Sequence, residues 1–346
     1  MLGARNRGCL GSLRVGAIVA ALAGVLIMPG MPGARPVLAQ QGGSTGSAVE
    51  GALFLLLPVS AKSVAMARAM SALEGPESIW WNPAGVARED ESRFQVHRGE
   101  DLAGEATSLS ALFAGNPLGV LGVSYQLTDL GDIERRDAQG NTLGTLFIRN
   151  HTGIVSLASS LGGGVSAGVN VKLIQQRVTC RGQCDDPGVD ATNVVFDAGL
   201  QWHGVLGLPL TLAGALVHAG SDVQFFNAEQ ADPLPTRVRL AAAYDLARHV
   251  TDNPDLRALI SVELEDRWGD VGAPATYIGS EVSAGRDEAL YLRAGYVFGA
   301  DLQVDGAAVG VGLRYGRVDL GIAKSLVTNA ATGEADPAYL TLGFGF

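Results

Sequence analysis

From about residue 93 to its last residue, the sequence alternates apolar and polar side chains in strand-length stretches that end at Gly, Pro, Asn or Asp. The clearest stretch is VSAGVNVKL, where Val165, Val169 and Leu173 fall on one face and Asn170 and Lys172 on the other. A period of two residues is typical of β-strands that have one apolar and one polar face. We therefore expect an all-β fold built from many such strands.

The number of strands and the lengths of their connections indicate which β-fold this is. Long breaks such as DLGDIERRDAQGN alternate with short ones such as GNP, and sorted loops of this kind, with an even number of strands, are typical of bacterial outer-membrane barrels. A soluble sandwich also alternates, but it has no reason to sort its loops. The sequence predicts an antiparallel transmembrane β-barrel of about fourteen strands over residues 93–346, with strands near 93–98, 105–114, 117–128, 143–159, 163–178, 191–203, 208–219, 236–246, 257–267, 274–284, 288–298, 305–315, 316–326 and 338–346.

The N-terminus has the parts of a secretory signal peptide. Arg5, Arg7 and Arg14 accompany the apolar run VGAIVAALAGVLIM, and small residues in VLAQ offer a cleavage site before Gln40. The run is shorter than the roughly 20 residues of a spanning helix, which makes a membrane anchor the weaker alternative. We expect residues 1–39 to be removed and the mature chain to reach the Gram-negative outer membrane, with its lipid and the barrel-assembly machinery as partners.

The charge of the chain and its motifs exclude several functions. The formal net charge is −10, which argues against nucleic-acid binding through phosphate contacts. GVSAG matches the G-x-S-x-G pattern of hydrolases, but Ser166 lies inside an alternating stretch and no helix follows. The histidines form no H-x-x-x-H pair, and the acidic loop CRGQCDDPGVD lacks the spacing of a calcium loop. We expect no enzyme activity, no cofactor and no metal.

The polar faces of the predicted strands point into the lumen, where charges cannot stay dry and unpaired. A barrel of this size is wider than its own side chains fill, so water or another segment of the chain should occupy it. The charged residues predicted to line the lumen are Lys172, Asp197, Arg237, Arg239, Asp245, Glu263, Glu265, Arg293 and Arg314.

The segment 40–92 is the candidate for that occupant. It begins with the flexible stretch QQGGSTGS and continues with the apolar ALFLLLP and with SAKSVAMARAM, which predicts a short helix capped by Ser60. The segment is too short for an independent domain and too apolar for a free linker. We expect a plug, or hatch, folded into or across the barrel mouth.

The plug contains SIWWNPAGV, which places two of the four tryptophans beside a turn. Pro83 favours an extended Asn82, and Gly85 leaves the chain free to reverse. Trp80 and Trp81 each bring a large apolar surface and one N–H to a segment without regular structure. The alternative is a surface turn with two tryptophans at the membrane interface.

These elements resemble those of a known family. FLLLPVSAKSVAMARAMSAL, followed by SIWWNPAGVA and a barrel that ends in Phe, resembles the PorV/PorQ family of outer-membrane proteins, which are related to FadL-type transporters. The resemblance covers the architecture of the mature chain, and its most specific part is residues 54–86. It implies that Asn82, Pro83, Ala84 and Gly85 lie on a hatch inside the barrel.

The resemblance implies two functions of different class. The first is a component or cargo shuttle of type IX secretion, with a translocon and cargo proteins as partners. The alternative is a FadL-like transporter of hydrophobic small molecules, and a closed barrel without transport is a third interpretation. Transport predicts an apolar pocket at the outer mouth, whereas a protein partner predicts an exposed apolar patch on the long loops.

The outer loops and the C-terminus carry further candidate sites. Cys180 and Cys184 are close enough to form a loop disulfide or remain free thiols. Phe225 and Phe226, in a predicted outer loop, suit an apolar pocket, a docking surface or the lipid interface. The ending YLTLGFGF, with Leu342, Phe344 and Phe346 on one face, resembles the signal read by the barrel-assembly machinery.

Overall fold

A computed structural model of the chain describes residues 50–101, 104–184, 188–225, 231–299, 305–327 and 338–346. Described residues from Glu50 onward belong to one compact unit, Ala48–Phe346. The predicted signal peptide (1–39), residues 40–49 of the predicted plug segment, and Phe226 lie outside the described residues.

The described residues form a closed barrel of fourteen strands, which confirms the predicted fold class. All neighbouring strands are antiparallel, and each strand from β1 to β14 pairs with the next one along the chain. The barrel closes where β1 pairs with β14, with Arg93 opposite Gly345. The strands are β1 (Arg93–Asp101), β2 (Gly104–Asn116), β3 (Gly119–Arg136), β4 (Thr142–Gly162), β5 (Val165–Gly182), β6 (Gly188–His203), β7 (Leu210–Gly220), β8 (Arg237–Asp245), β9 (Leu256–Arg267), β10 (Ala275–Ala284), β11 (Glu288–Phe298), β12 (Gly306–Tyr315), β13 (Val318–Ser325) and β14 (Ala338–Gly345).

The two faces of the strands separate as the alternation predicts. On β5, Val169 and Leu173 are 50% and 56% exposed, whereas Asn170 and Lys172, between them, are 1% and 2% exposed. The apolar side chains therefore form the outer surface of the barrel, where a membrane would cover them, and the polar side chains face the lumen.

Two strand pairs are longer than the sequence predicts. Residues 129–141 were expected to be a loop, but β3 continues to Arg136 and β4 begins at Thr142, with the turn closed by Asp137 N–H donating to Asn141 O at 2.9 Å. Likewise β5 continues to Gly182. Residues 131–136 are exposed on both faces, so these hairpins project into water, where strands need no apolar face and leave no alternation to read.

The plug, defined here as the described residues 50–92, contains short helices. These are 3₁₀ turns at Leu53–Leu56, Pro76–Trp80 and Pro83–Val86, and the α-helix α1 at Ala61–Ala65. Ser60 caps α1, as predicted, because its Oγ accepts from Ser63 N–H at 3.1 Å. The helix is shorter than expected because Ala67 and Arg68 adopt left-handed φ values of 48° and 70°, which an α-helix cannot contain.

Outside the plug, the described helices are short turns between strands. They are a 3₁₀ turn at Val205–Gly207 and the α-helix α2 at Ala247–Val250. None of the helices in the described ranges is long and apolar enough to cross a membrane.

The largest apolar core lies inside the barrel, between the plug and the wall. Met66, Met70 and Ile79 of the plug are fully buried there, and they pack in one cluster with Leu112 of β2 and Ile154 of β4. The lumen is thus filled by the plug's own apolar side chains as well as by the polar face of the strands.

Candidate functional site

The Asn82–Pro83 turn docks on the barrel wall. Asn82 Oδ1 accepts from Ala84 N–H at 3.1 Å, which caps the 3₁₀ turn that starts at Pro83. The side-chain amide of Asn82 donates to Ser71 O of the plug at 2.9 Å and to Leu200 O of β6 at 3.2 Å. One buried side chain therefore joins the turn to another part of the plug and to the wall.

Two glycines of the wall make this approach possible. Gly168 on β5 and Gly199 on β6 are register partners. A Cβ on Gly168 would lie 2.4 Å from the carbonyl carbon of Pro83, and one on Gly199 would lie 1.9 Å from Asn82 Oδ1. Both contacts are shorter than atoms can tolerate, so this part of the wall accepts the turn only because it has no side chains.

A second glycine pair receives the end of α1. Gly279 on β10 and Gly295 on β11 are register partners, and a Cβ on either would lie 2.6 Å from the backbone of Met66. Next to them, a Cβ on Gly310 would meet Ala65 Cβ at 2.6 Å. The plug is therefore in direct backbone contact with the wall on two separate pairs of strands.

The two tryptophans have different environments. Trp80 Nε1–H donates to Ser110 Oγ of β2 at 3.1 Å. Trp81 lies under Arg239 of β8, whose guanidinium carbon is 5.0 Å from the ring centroid and whose Nη1 donates to Trp81 O at 3.1 Å. Both side chains are buried, which agrees with a position inside the barrel and not at its surface.

Glu263 of β9 anchors the plug backbone. Its carboxylate accepts from Met70 N–H at 2.9 Å, from Ser71 N–H at 2.7 Å and from the Ser71 hydroxyl at 2.8 Å. Glu265, two residues on, pairs with Arg239 at 2.5 Å and accepts from the Tyr277 hydroxyl at 3.1 Å. These buried charges are paired and hydrogen-bonded, as burial requires.

A second polar group lies at the β5–β7 wall. Lys172 Nζ is 2.7 Å from Asp197 Oδ2, and Asp197 also accepts from Asn170 Nδ2 at 2.8 Å and from His218 N–H at 2.9 Å. His218 has a φ of 61°, beside a register shift between β6 and β7 at Phe196 and Ala198. The shift is a β-bulge, which turns two successive residues of β7, Val217 and His218, into the lumen.

At the outer end of the barrel, where the long connections lie, the plug contacts the described part of the β7–β8 connection. Glu50 makes a two-pronged ion pair with Arg237, with both contacts at 2.7 Å. Next to it the plug and the connection form one apolar cluster, the outer cluster, in which Phe225 packs beside buried residues. Its members are Ala52, Phe54, Leu55, Leu57, Ile174, Ala191, Val195, Val223, Phe225 and Leu234.

The opposite end contains a polar cavity of about 260 Å³ between the plug and β1 and β10–β13. Arg293 pairs with Glu281, and Arg314 pairs with Asp319, each at 2.6 Å. At its edge Glu89 is 3.1 Å from Arg93, and burial raises the pKa of Glu89 to about 7 although Arg93 opposes the shift. Asp245 also lies at this end, where it accepts from Ala247 N–H and Ala258 N–H at 3.1 Å.

All nine charged residues predicted for the lumen face inward, but they do not form one lining. Eight of them divide between the anchor at Glu263, the group at Asp197, the outer pair at Arg237 and the polar cavity, and Asp245 instead caps the β8–β9 connection. Sequence reasoning missed Glu50, Ser71 and His218, because the first two lie in the irregular plug and the third lies in a bulge that interrupts the alternation. Asn170 could have been found, since it follows the polar face of β5.

The remaining predicted sites lie outside the lumen contacts. Cys180 and Cys184 form a disulfide near the outer end of β5, with their Cα atoms 6.2 Å apart. Leu342 and Phe344 face outward on β14, and the terminal Phe346 packs edge-on against Phe113 with ring centroids 6.4 Å apart. Among the described residues no group of three or more His, Cys, Asp or Glu is arranged to hold a metal ion.

The lumen has very little free space beside Trp81. A cavity of about 20 Å³ lies between the plug residues 55–57, Val59, Trp80 and Trp81 and wall residues that include Lys172 and Arg239. This volume is close to that of a single water molecule. In the described conformation this space beside Trp81 is too small for an organic solute.

Comparisons with solved structures assign this fold. No protein-family model and no curated protein matches the chain. The chain is similar to the toluene transporter TbuX of Ralstonia pickettii, at 11% identity over 83% of this chain and 97% of that chain, with a TM-score of 0.54. It is also similar to the CymD monoaromatic hydrocarbon channel, at 11% identity over 84% and 98%, with a TM-score of 0.56. A FadL homologue from Pseudomonas aeruginosa has 12% identity over 83% and 96%, with a TM-score of 0.50.

At these identities the likeness shows the fold. The barrel has the architecture of FadL-type outer-membrane proteins, which supports the FadL-like part of the predicted resemblance. Two of these neighbours are named as a toluene transporter and a monoaromatic hydrocarbon channel. The narrower PorV/PorQ assignment is not confirmed and stays a prediction.

Proposed function

We propose that the protein is an outer-membrane transporter that passes small hydrophobic molecules through a plugged barrel. The outer cluster is the observation that carries this proposal. Phe54 of the plug and Phe225 of the β7–β8 connection belong to one apolar cluster at the outer end of the lumen. When the plug shifts, these buried apolar side chains become a binding surface for hydrophobic solutes, because burial of apolar area stabilises their binding.

The neighbours in fold support the same function. The toluene transporter and the monoaromatic hydrocarbon channel share the barrel over more than four-fifths of this chain. A type IX secretion component was the first interpretation of the sequence, and the comparisons favour the alternative. The position of Phe225 supports the transport interpretation. Its side chain packs in the outer cluster with plug residues, instead of forming an exposed patch on which a protein could dock.

The route requires movement of the plug. The cavity beside Trp81 holds about 20 Å³, so a solute that passes this point displaces the plug. The bulge at Asp197 and His218 offers a place where the wall could yield. On its outer surface a groove of about 620 Å³ runs over small residues such as Ala198 and Gly214, where a hydrophobic solute could enter the lipid.

Outer-membrane location is part of the proposal. The outward apolar surface needs lipid, and the outward row that ends at Phe344 and Phe346 suits recognition by the barrel-assembly machinery. A signal peptide over residues 1–39 would bring the chain to the periplasm.

The function is tested by uptake into cells of a Gram-negative host, whose lipopolysaccharide leaflet slows hydrophobic solutes. Radiolabelled ethylbenzene and acetophenone are small aromatic probes of similar size. We expect the protein to raise the uptake of at least one probe several-fold over cells without it, and Phe225→Ser to remove most of the gain. Phe298→Ser is the matched control, because Phe298 is also near the outer end but faces outward.

Affinity purification from the protein's native membranes distinguishes the competing function. Equal uptake with and without the protein, together with recovery of translocon and cargo proteins, would favour the secretion interpretation and overturn the proposal. Uptake that needs Phe225 supports it.

A further inference from the structure

Four polar side-chain atoms without a hydrogen-bond partner among the described residues belong to residues that line the small cavity beside the plug. The atoms are Trp81 Nε1, Gln126 Nε2, Thr152 Oγ1 and His218 Nε2, and none has a hydrogen-bond partner among the described residues. Their residues line one cavity of about 20 Å³, and all four are at least 96% buried. A buried polar atom without a partner is costly, so four around one cavity indicate a site for a bound group.

The polarity of these atoms defines the group. Trp81 Nε1 and Gln126 Nε2 carry hydrogens and can only donate, and the Thr152 hydroxyl can donate. His218 Nδ1 lies 3.2 Å from Lys172 Nζ, and an ammonium group only donates, so Nδ1 must accept. The imidazole is then neutral with its proton on Nε2. All four atoms can therefore act as donors.

The charges around the cavity are already neutralised. Lys172 is paired with Asp197 at 2.7 Å, and Arg239 with Glu265 at 2.5 Å. An anion would therefore meet two ion pairs and not two free cations. The other side of the cavity is apolar, formed by plug residues such as Leu55, Leu57 and Val59.

We propose that this cavity is a donor site for a neutral oxygen atom of an otherwise hydrophobic substrate, such as the oxygen of a ketone, ester, ether or alcohol. The cavity has the volume of one water molecule, and the oxygen of the substrate displaces that water while the plug residues move to admit its apolar part. The inference rests on the proposed transport function and narrows its substrate from small hydrophobic molecules in general to those that carry a neutral oxygen atom.

The test compares binding of three probes to the purified full-length protein in detergent, by equilibrium dialysis against matched protein-free micelles. Acetophenone has a neutral carbonyl oxygen, ethylbenzene lacks it, and benzoate has a carboxylate. We expect acetophenone to bind at least about tenfold more tightly than ethylbenzene, which is the effect of one or two hydrogen bonds, and benzoate to bind more weakly than acetophenone.

Variants assign the preference to the cavity. Gln126→Leu combined with Thr152→Val removes two donors at nearly constant volume and should reduce the preference for acetophenone to less than about threefold. Ser124→Ala is the matched control, because Ser124 is buried on the same face of β3 and also lacks a partner among the described residues, but does not line the cavity. It should leave the preference unchanged. Heat-modifiable migration on gels shows that each variant is folded.

The outcomes separate the two proposals. Equal binding of acetophenone and ethylbenzene by the wild-type protein would overturn the donor site and leave the transport function standing. Preference for benzoate would show an anion site and overturn the neutral-oxygen assignment. A preference that the double variant retains would place the selectivity elsewhere. Failure of all three probes to bind, with no uptake in cells, would overturn both proposals.

Discussion

Gly168 and Gly199 face each other across β5 and β6, and together they form a bare patch of wall against which the Asn82–Pro83 turn rests. Gly168 lies against the backbone of Pro83 and Ala84, and Gly199 lies against the side chains of Asn82 and Pro83, so the turn approaches the wall closely at both positions. The two tryptophans next to this turn, Trp80 and Trp81, pack in the apolar cluster between the plug and the wall. They fill the space around a turn that has little regular secondary structure of its own.

Adding a methyl group to this patch should loosen the plug. In Gly199→Ala the new Cβ would lie 1.9 Å from Asn82 Oδ1, and overpacking of this kind costs about 1–3 kcal/mol. We expect hydrogen exchange of the plug amides between residues 78 and 87 to rise at least about fivefold, since looser packing increases local opening.

Gly153→Ala provides the control for that experiment. Gly153 faces outward on β4, and a Cβ there would come no closer than 4.0 Å to another residue. Its exchange should equal that of the wild type. Unchanged exchange in Gly199→Ala would show that the turn does not depend on the bare patch.

Loss of the Glu263 carboxylate should destabilise the plug from the other side of the lumen. In Glu263→Leu the buried amides of Met70 and Ser71 lose their acceptor, and unpaired buried donors cost about 1–3 kcal/mol each. We expect the apparent thermal midpoint, measured by circular dichroism, to fall by about 5 °C or more. Glu263→Gln retains an acceptor and should keep most of the stability.

Ser261→Ala tests whether any polar loss on this face has the same effect. Ser261 is buried on β9, and its hydroxyl has no partner among the described residues. Its midpoint should match the wild type, and a fall equal to that of Glu263→Leu would contradict the anchoring role.

Glu89 should make stability depend on pH. Burial raises the pKa of Glu89 to about 7 from 4.5, more than Arg93 lowers it. Between these two values the folded protein holds a proton that the unfolded chain has released, so stability falls as pH rises through this window. Glu89→Gln removes the titrating carboxyl group and with it this dependence of stability on pH.

The measurement is the difference in apparent thermal midpoint between the wild type and Glu89→Gln from pH 4 to pH 8. The wild type should lose stability relative to the variant from about pH 4.5 to about pH 7, and the difference should then stay constant. A difference that does not change with pH would show that Glu89 is not held in a buried site.

The barrel could be predicted because the same alternation of apolar and polar side chains recurs in strand after strand. An apolar outer face and a polar inner face impose a two-residue alternation on each strand of the barrel, and β5 between Val165 and Leu173 shows it directly. The alternation stops where a strand extends beyond the apolar outer surface. For that reason the extension of β3 to Arg136 was invisible in the sequence.

The contacts inside the barrel could be predicted only in part, because the sequence of the plug has no regular spacing of apolar and polar residues. Lys172 and Glu263 were found from the polar face of their strands, but their partners depend on where the irregular plug folds. Glu50 and Ser71 bind the wall across long sequence separations, and nothing local marks them. His218 was missed because a bulge reverses the alternation at that point.

The central claim is that hydrophobic molecules pass because the plug moves, and a cross-link tests it most directly. An ideal Cβ on Gly321 of β13 lies 3.4 Å from Ala61 Cβ of α1, close to the roughly 3.5–4.5 Å of a disulfide. Ala61→Cys with Gly321→Cys should therefore tie the plug to the wall when oxidised. The two single-cysteine variants are one control. The wild type treated with reductant is the other, because reductant also reduces the native disulfide between Cys180 and Cys184.

The decisive measurement is uptake of radiolabelled acetophenone and ethylbenzene by cells that carry the double-cysteine variant, before and after reduction. The account predicts uptake near that of cells without the protein while the cross-link is present, and recovery to the wild-type rate when it is reduced. Wild-type uptake with the cross-link intact would contradict the account.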